Sequence, residues 1–93
     1  MINIIKNNID FKSFIVLKVT KYRVLIFKIF NNYTKCIYIN QINNHIEINV
    51  DKVFDNKLKY KNIDRVLISK QNFINITDSL SYIQNSIDKN LYK

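Results

Sequence analysis

The stretch YTKCIYINQINNHIEINVDKVF, Tyr33–Phe54, carries the reading on which the fold turns. Its opening segment alternates Tyr33, Lys35, Ile37 and Ile39 against Thr34, Cys36 and Tyr38 and is rich in β-formers, which predicts a strand. The remainder reads two ways. Ile42, Ile46, Val50, Val53 and Phe54 fit one face of a helix, whereas Ile46, Ile48 and Val50 alternate within His45–Val50 and fit a hairpin partner for the preceding strand. Periodicity leaves both open.

Toward the N-terminus, Tyr22, Leu25, Ile26, Ile29 and Phe30 fall at helical spacing behind Thr20 as a cap, with Asn31-Asn32 as a stop. This favours a helix over 20–30, although the β-branched content argues the other way. Residues 1–19 read as an N-terminal extension or strand, with Phe14-Ile15-Val16-Leu17 and Val19 at its centre. Toward the C-terminus, 57–63 and 65–69 read as short strands. From Thr77 to Tyr92, Leu80, Ile83, Ile87 and Leu91 form one helical stripe behind a Thr-Asp-Ser start. The expectation is a single α+β domain over 1–93, a small antiparallel sheet with two helices packed on it.

Ninety-three residues with 47% apolar content suit one modest core and exclude a disordered tail. Fifteen Lys and Arg oppose seven Asp and Glu, a net charge of +8, so the expected partner is an anionic polymer, RNA first. Only Arg23 and Arg65 are arginines, and lysine grips phosphate as a point charge without arginine's fork, so salt-sensitive backbone contact is the expected mode. Glycine and proline are absent while Ile, Asn, Lys, Tyr and Phe dominate, as A- and T-rich codons would produce. Turns must then rest on Asn, Asp and Ser, at Asn31-Asn32, Asn43-Asn44 and Asp55-Asn56. No secretory or transit signal, no disulfide framework and no membrane-spanning run is expected. The chain is expected to act where it is made, in an organelle with its own AT-rich genome, such as a plastid or apicoplast, or else in a bacterial cytoplasm.

Catalytic signals are weak. His45 stands alone between Asn44 and Ile46 and reads as a helix-start or surface residue, Cys36 is the only cysteine, and no metal or cofactor is expected. The serines lack a nucleophile elbow, and a chain without glycine has no phosphate loop. Asp51 and Asp55 would share a helix face as solvated carboxylates more readily than bind a cation. The six tyrosines could stack bases, although half-buried packing suits most of them better. Lys57, Lys59 and Lys61 would form a lysine ladder on a strand, or an ordinary solvated edge.

The order of these features resembles the large-subunit ribosomal protein 23 family, which sits beside the peptide exit tunnel. The matching residues are Thr20-Lys21, Asn31-Asn32-Tyr33-Thr34, then Ile46, Val50 and Phe54, then Lys57-Leu58, Asn62 and Tyr82. The glutamate between Thr and Lys is missing, as are the glycines and arginines of the family's basic loop, and Ile63 stands where Thr should follow Asn62. The resemblance implies a helix across 42–54, a last strand at Tyr82 to Ile87, and a non-catalytic role in holding large-subunit ribosomal RNA. Neighbouring ribosomal proteins, nascent chains and targeting factors would be nearby. Thr20, Lys21, Lys57 and Asn62 would contact RNA or fix turns that do, and the loop 64–75 would enter RNA grooves with Arg65, Lys70, Gln71 and Asn72. Lys59 and Lys61 would join Lys57. The competing expectation is a small basic interaction or inhibitor protein of a phage or mobile element acting on a nucleic-acid-processing complex.

Overall fold

A computed structural model describes residues 2–55 and 63–89. The chain opens with helix α1 (Ile2–Asn8), continues through strands β1 (Ile15–Val19), β2 (Arg23–Ile29), β3 (Thr34–Ile42), β4 (His45–Asp55) and β5 (Ile63–Phe73), and ends on helix α2 (Ile76–Asp88). The strands form one antiparallel sheet in sequence order, a five-stranded meander, and both helices pack against it, giving the α+β class that the pattern predicts.

The ambiguity at 42–54 resolves to strand. Ile42 pairs with His45 across the two-residue turn Asn43-Asn44, and Asn43 takes a left-handed φ of 54°, the conformation glycine would usually supply. The register then sets Ile39 opposite Ile48 and Ile37 opposite Val50. The helix implied across 42–54 is therefore β4, because an alternating run beside a partner strand gains a full ladder of hydrogen bonds and buries one face at once.

The helix expected over 20–30 is also a strand. Val24 and Ile26 are buried while Leu25 and Phe27 on the other side are half-buried, so a strand apolar on both faces mimics helical spacing. Thr20 caps no helix. Its Oγ1 accepts from the Tyr22 and Arg23 amides and shapes the β1–β2 turn. Asn31-Asn32 forms the tight β2–β3 turn, closed by the Phe30 amide on the Tyr33 carbonyl at 2.8 Å.

At the N-terminus, the expected strand covers only β1. Ile2, Ile5 and Ile9 fall on one helical stripe and are buried, which explains α1. The strand expected at 65–69 lengthens to β5, and most of the one expected at 57–63 lies outside the described residues. Helix α2 begins at Ile76, just ahead of the expected Thr77, with Asn75 Oδ1 accepting from the Thr77 amide at 2.8 Å. The last strand implied at 82–87 is thus helix: Ile83 and Ile87 are buried, four residues apart, and Tyr82 packs 5.3 Å from the Phe73 ring and hydrogen-bonds Ser69.

The helices cover one face of the sheet. Val24–Ile39–Ile48 and Ile26–Ile37–Val50 run across β2, β3 and β4 as apolar rows beneath α1 and α2. Isoleucine dominates this core because its branched, stiff side chain fits the pleat, and burying each contributes about 1.5–3 kcal/mol. A third row sets Lys28, Lys35 and Lys52 directly opposite one another. Lys35 is buried and its ammonium donates to the Ser86 carbonyl in the last turn of α2, while Lys28 and Lys52 lie over the Phe30 and Tyr33 rings. Gln84 and Asp10 exchange two hydrogen bonds, and Lys12 pairs with Asp88 at 2.7 Å, tying the segment after α1 to α2.

Both outer strands carry a bulge. Leu17 is the extra residue of β1 between pairs Val16–Ile26 and Lys18–Leu25, and Ile68 is that of β5 between Ser69–Val50 and Leu67–Asp51.

Candidate nucleic-acid interface

The face of the sheet away from the helices is polar. The alternation that buries Ile37 and Ile39 turns Cys36, Tyr38 and Asn40 outward, and the register lines them up with their neighbours. Three rows result: Arg23–Asn40–Glu47–Asn72, Leu25–Tyr38–Asn49–Lys70 and Phe27–Cys36–Asp51–Leu67. Their middle forms an open cleft of about 740 Å³ that reaches from Lys18 and Tyr22 near the first edge to Arg65 on β5.

Arg65 organises this cleft. Its guanidinium lies 5.2 Å from the centre of the Tyr38 ring, Nη2 donates to the Tyr38 hydroxyl at 2.6 Å, and Nε faces Asp51 Oδ2 at 3.4 Å. Tethered to the Tyr38 hydroxyl and to Asp51, the arginine gives up part of its rotamer freedom before any ligand arrives, while its side chain remains more than half exposed. Asp51 is only 5% exposed, and its Oδ1 has no hydrogen-bond partner. Asn49 Nδ2 donates to Glu47 Oε1 at 3.2 Å, which leaves Asn49 Oδ1 as a second buried acceptor without a donor. At the rim, Lys70 stands 3.8 Å from Glu47.

Cys36 sits beside this group, and its thiol pKa is pushed up, chiefly by burial, against the pull of Tyr38 and Arg65. Burial also raises the Tyr38 hydroxyl, helped by the neighbouring Cys36. Both groups therefore stay protonated at neutral pH, so Tyr38 is a neutral stacking ring and Cys36 a weak nucleophile.

Of the residues singled out in the sequence, Arg65 and Lys70 lie on this face, and Thr20 and Lys21 form the turn that delivers Tyr22 and Arg23 to the cleft. Lys21 itself lies over the Tyr22 ring at 5.4 Å. Lys57, Lys59, Lys61 and Asn62 lie outside the described residues. Gln71 turns to the helix side opposite Ile48, while Asn72 stays on the open face opposite Glu47. The sequence reading missed Arg23, Tyr38, Asn49 and Asp51 as members of one site, since the helix expected over 20–30 and the one the resemblance implies across 42–54 scatter them. Once 42–54 is a strand, the parity of Glu47, Asn49 and Asp51 identifies them as one polar face. His45 opens β4 after a turn, and Asp51 pairs with Arg65 instead of sharing a helix face with Asp55.

Among the described residues, no three His, Cys, Asp or Glu side chains gather to hold a metal ion, and no helix is long and apolar enough to cross a membrane. Comparison with protein-family models, with curated proteins and with solved structures found no match.

Proposed function

We propose that this chain is a non-catalytic RNA-binding module that works through the open face of its sheet. The observation that carries this reading is the convergence on one cleft of both arginines of the chain, with Lys18 and Tyr38 beside them. Aromatic rings and guanidinium planes stack single-stranded bases with little sequence preference, and the surrounding cations take phosphates. The net charge of +8 adds long-range attraction. Filter binding of a labelled single-stranded oligoribonucleotide across a salt series tests it: affinity should fall steeply with salt, and affinity unchanged from low to high salt would remove the reading.

A place in the large ribosomal subunit is the narrower form of the proposal, and it rests on the resemblance. The strand at 45–55 and the helix at 76–88 depart from the helix and the last strand that resemblance implies, so the cleft supports RNA binding in general and the ribosomal setting needs its own test. Sucrose-gradient fractionation of native lysate supplies it: co-migration with the large subunit supports that setting, and a chain that stays at the top of the gradient removes it. A second reading, an interaction protein with a protein target, is favoured by the apolar outer strands, where Ile15, Val16 and Leu17 at one edge and Val66, Leu67 and Ile68 at the other are exposed. Co-purification with a protein target after nuclease treatment would favour it over RNA binding.

A further inference from the structure

The floor and the rim of the open cleft differ in chemistry. Asn49 Oδ1 and Asp51 Oδ1 are buried acceptors without donors, two residues apart on one strand face. An unmade hydrogen bond on a buried acceptor is costly, and in a native site it calls for a donor from elsewhere. The Asn49 amide is oriented by its nitrogen, which donates to Glu47, so its oxygen is fixed as an acceptor. Next to them stands a donor, the guanidinium of Arg65, and around them the cations Lys18, Arg23 and Lys70.

A free cation would satisfy the acceptors but meet the positive rim. A nucleotide fits both parts, with its base edge on the floor and its phosphate at the rim. Among bases, guanine alone presents a carbonyl acceptor beside two contiguous donors, O6 next to N1–H and the N2 amino group. Adenine and cytosine each offer a single amino donor next to a ring-nitrogen acceptor, and uracil offers one N–H between two carbonyls. Carboxylates and amide oxygens accept from base N–H groups, and arginine is the usual donor to guanine O6 and N7.

We propose that this cleft is a guanine-recognising subsite in which Arg65 donates to O6, Asp51 and Asn49 accept from N1–H and N2–H, and the Tyr38 ring supports the base. The inference rests on the RNA-binding reading and adds base identity to it. Arg65, the exposed member of the group, already touches both Asp51 and Tyr38, so the donor to O6 stands beside one acceptor and the ring.

Fluorescence anisotropy on the full chain, with a short oligouridylate carrying one central guanine, adenine or cytosine, tests it. The guanine-bearing strand should bind about tenfold more tightly than the others. Asp51→Asn should erase that preference, read as the ratio of guanine-bearing to plain oligouridylate affinity on the same variant. Arg65→Lys, which keeps the charge and loses the fork, provides a second variant should the first unfold. Equal affinity for all four strands overturns the guanine inference and leaves RNA binding intact. Binding of no strand, with guanosine monophosphate also unbound, overturns both. Guanosine monophosphate that binds where no strand does keeps the guanine site and removes the RNA reading. Where the strand preference holds, competition by guanosine monophosphate at comparable concentration assigns the site to a free nucleotide, and its failure to compete assigns it to RNA.

Discussion

On the helix-covered face, the rows Val24–Ile39–Ile48 and Ile26–Ile37–Val50 are apolar from strand to strand and closed to water. On the other face, the same three strands present Arg23–Asn40–Glu47 and Leu25–Tyr38–Asn49, part polar and part aromatic, with no element laid over them among the described residues. The two faces tolerate compositional drift differently. Burial is non-directional, so isoleucine can replace almost any aliphatic residue in the core without loss of driving force. A cleft that reads donors and acceptors has no such freedom, and both arginines of a lysine-rich chain line it.

The sharpest way to break that comparison is on the covered face. Ile37→Ala, at a position with no exposure, should cost about 2–5 kcal/mol in urea unfolding. Oligonucleotide affinity per folded molecule should not change. A large drop in affinity in the folded variant would mean that the two faces are not independent.

On the open face, the double variant Arg23→Ala with Lys70→Ala should leave stability within about 0.5 kcal/mol, because both side chains are exposed and Lys70 makes only a long surface ion pair. It should lower the slope of log affinity against log salt by about 2, one for each phosphate that is no longer neutralised. An unchanged slope would place the anion elsewhere. Arg65→Ala is a poorer probe, since it strips a buried carboxylate of its cation and disturbs the fold as well.

Smaller effects follow from the turn and the lysine row. Asn43→Ala forces a side chain with a poor left-handed conformation into that turn and should cost about 1 kcal/mol in thermal or urea unfolding. Lys52→Glu replaces a like-charged cross-strand pair with an opposite one beside Lys35 and should stabilise by about 0.2–1 kcal/mol, less at high salt. A destabilised variant would show that the Lys52 ammonium over the Tyr33 ring outweighs the repulsion.

The smallest effect is in acid. Lys12 holds the Asp88 carboxyl below the usual carboxylate range, with help from Gln84. A carboxyl whose folded pKa is lowered stabilises the fold above its unfolded pKa, and that stability is lost as pH falls through the folded value. Lys12→Met should therefore lower the neutral plateau slightly toward the acid value and so flatten the acid limb of the stability curve, measured by urea unfolding between neutral pH and the carboxylate range.

Much of the architecture is legible in the residues alone. Tyr33–Ile39 reads as a strand because alternation and β-branching agree there, and the Leu80–Ile83–Ile87 stripe reads as a helix against the family pattern and is one. The helix expected over 20–30 and the one the resemblance implies across 42–54 have different causes. At 22–30 apolar residues stand on both faces of a strand, so the period of two blurs into one near four, whereas 42–54 carries the alternation of β4 beside a helical spacing and only the resemblance chose between them. Without glycine or proline to punctuate the turns, asparagine pairs that could have ended helices closed hairpins. The cleft is legible only in part, through Arg65 and Lys70, because Glu47, Asn49 and Asp51 share a face only after β4 is known to be a strand.

The bulges at Leu17 and Ile68 have a further consequence for how this chain behaves in a crowded cell. Drift toward isoleucine, asparagine and tyrosine supplies the raw material of cross-β fibrils, and an open meander offers two edges for templating. One surplus residue in each outer strand kinks the edge and breaks the even spacing that an incoming strand needs to zip on in register. Two small irregularities thus act as end-stops that keep a five-stranded sheet from becoming the seed of an endless one.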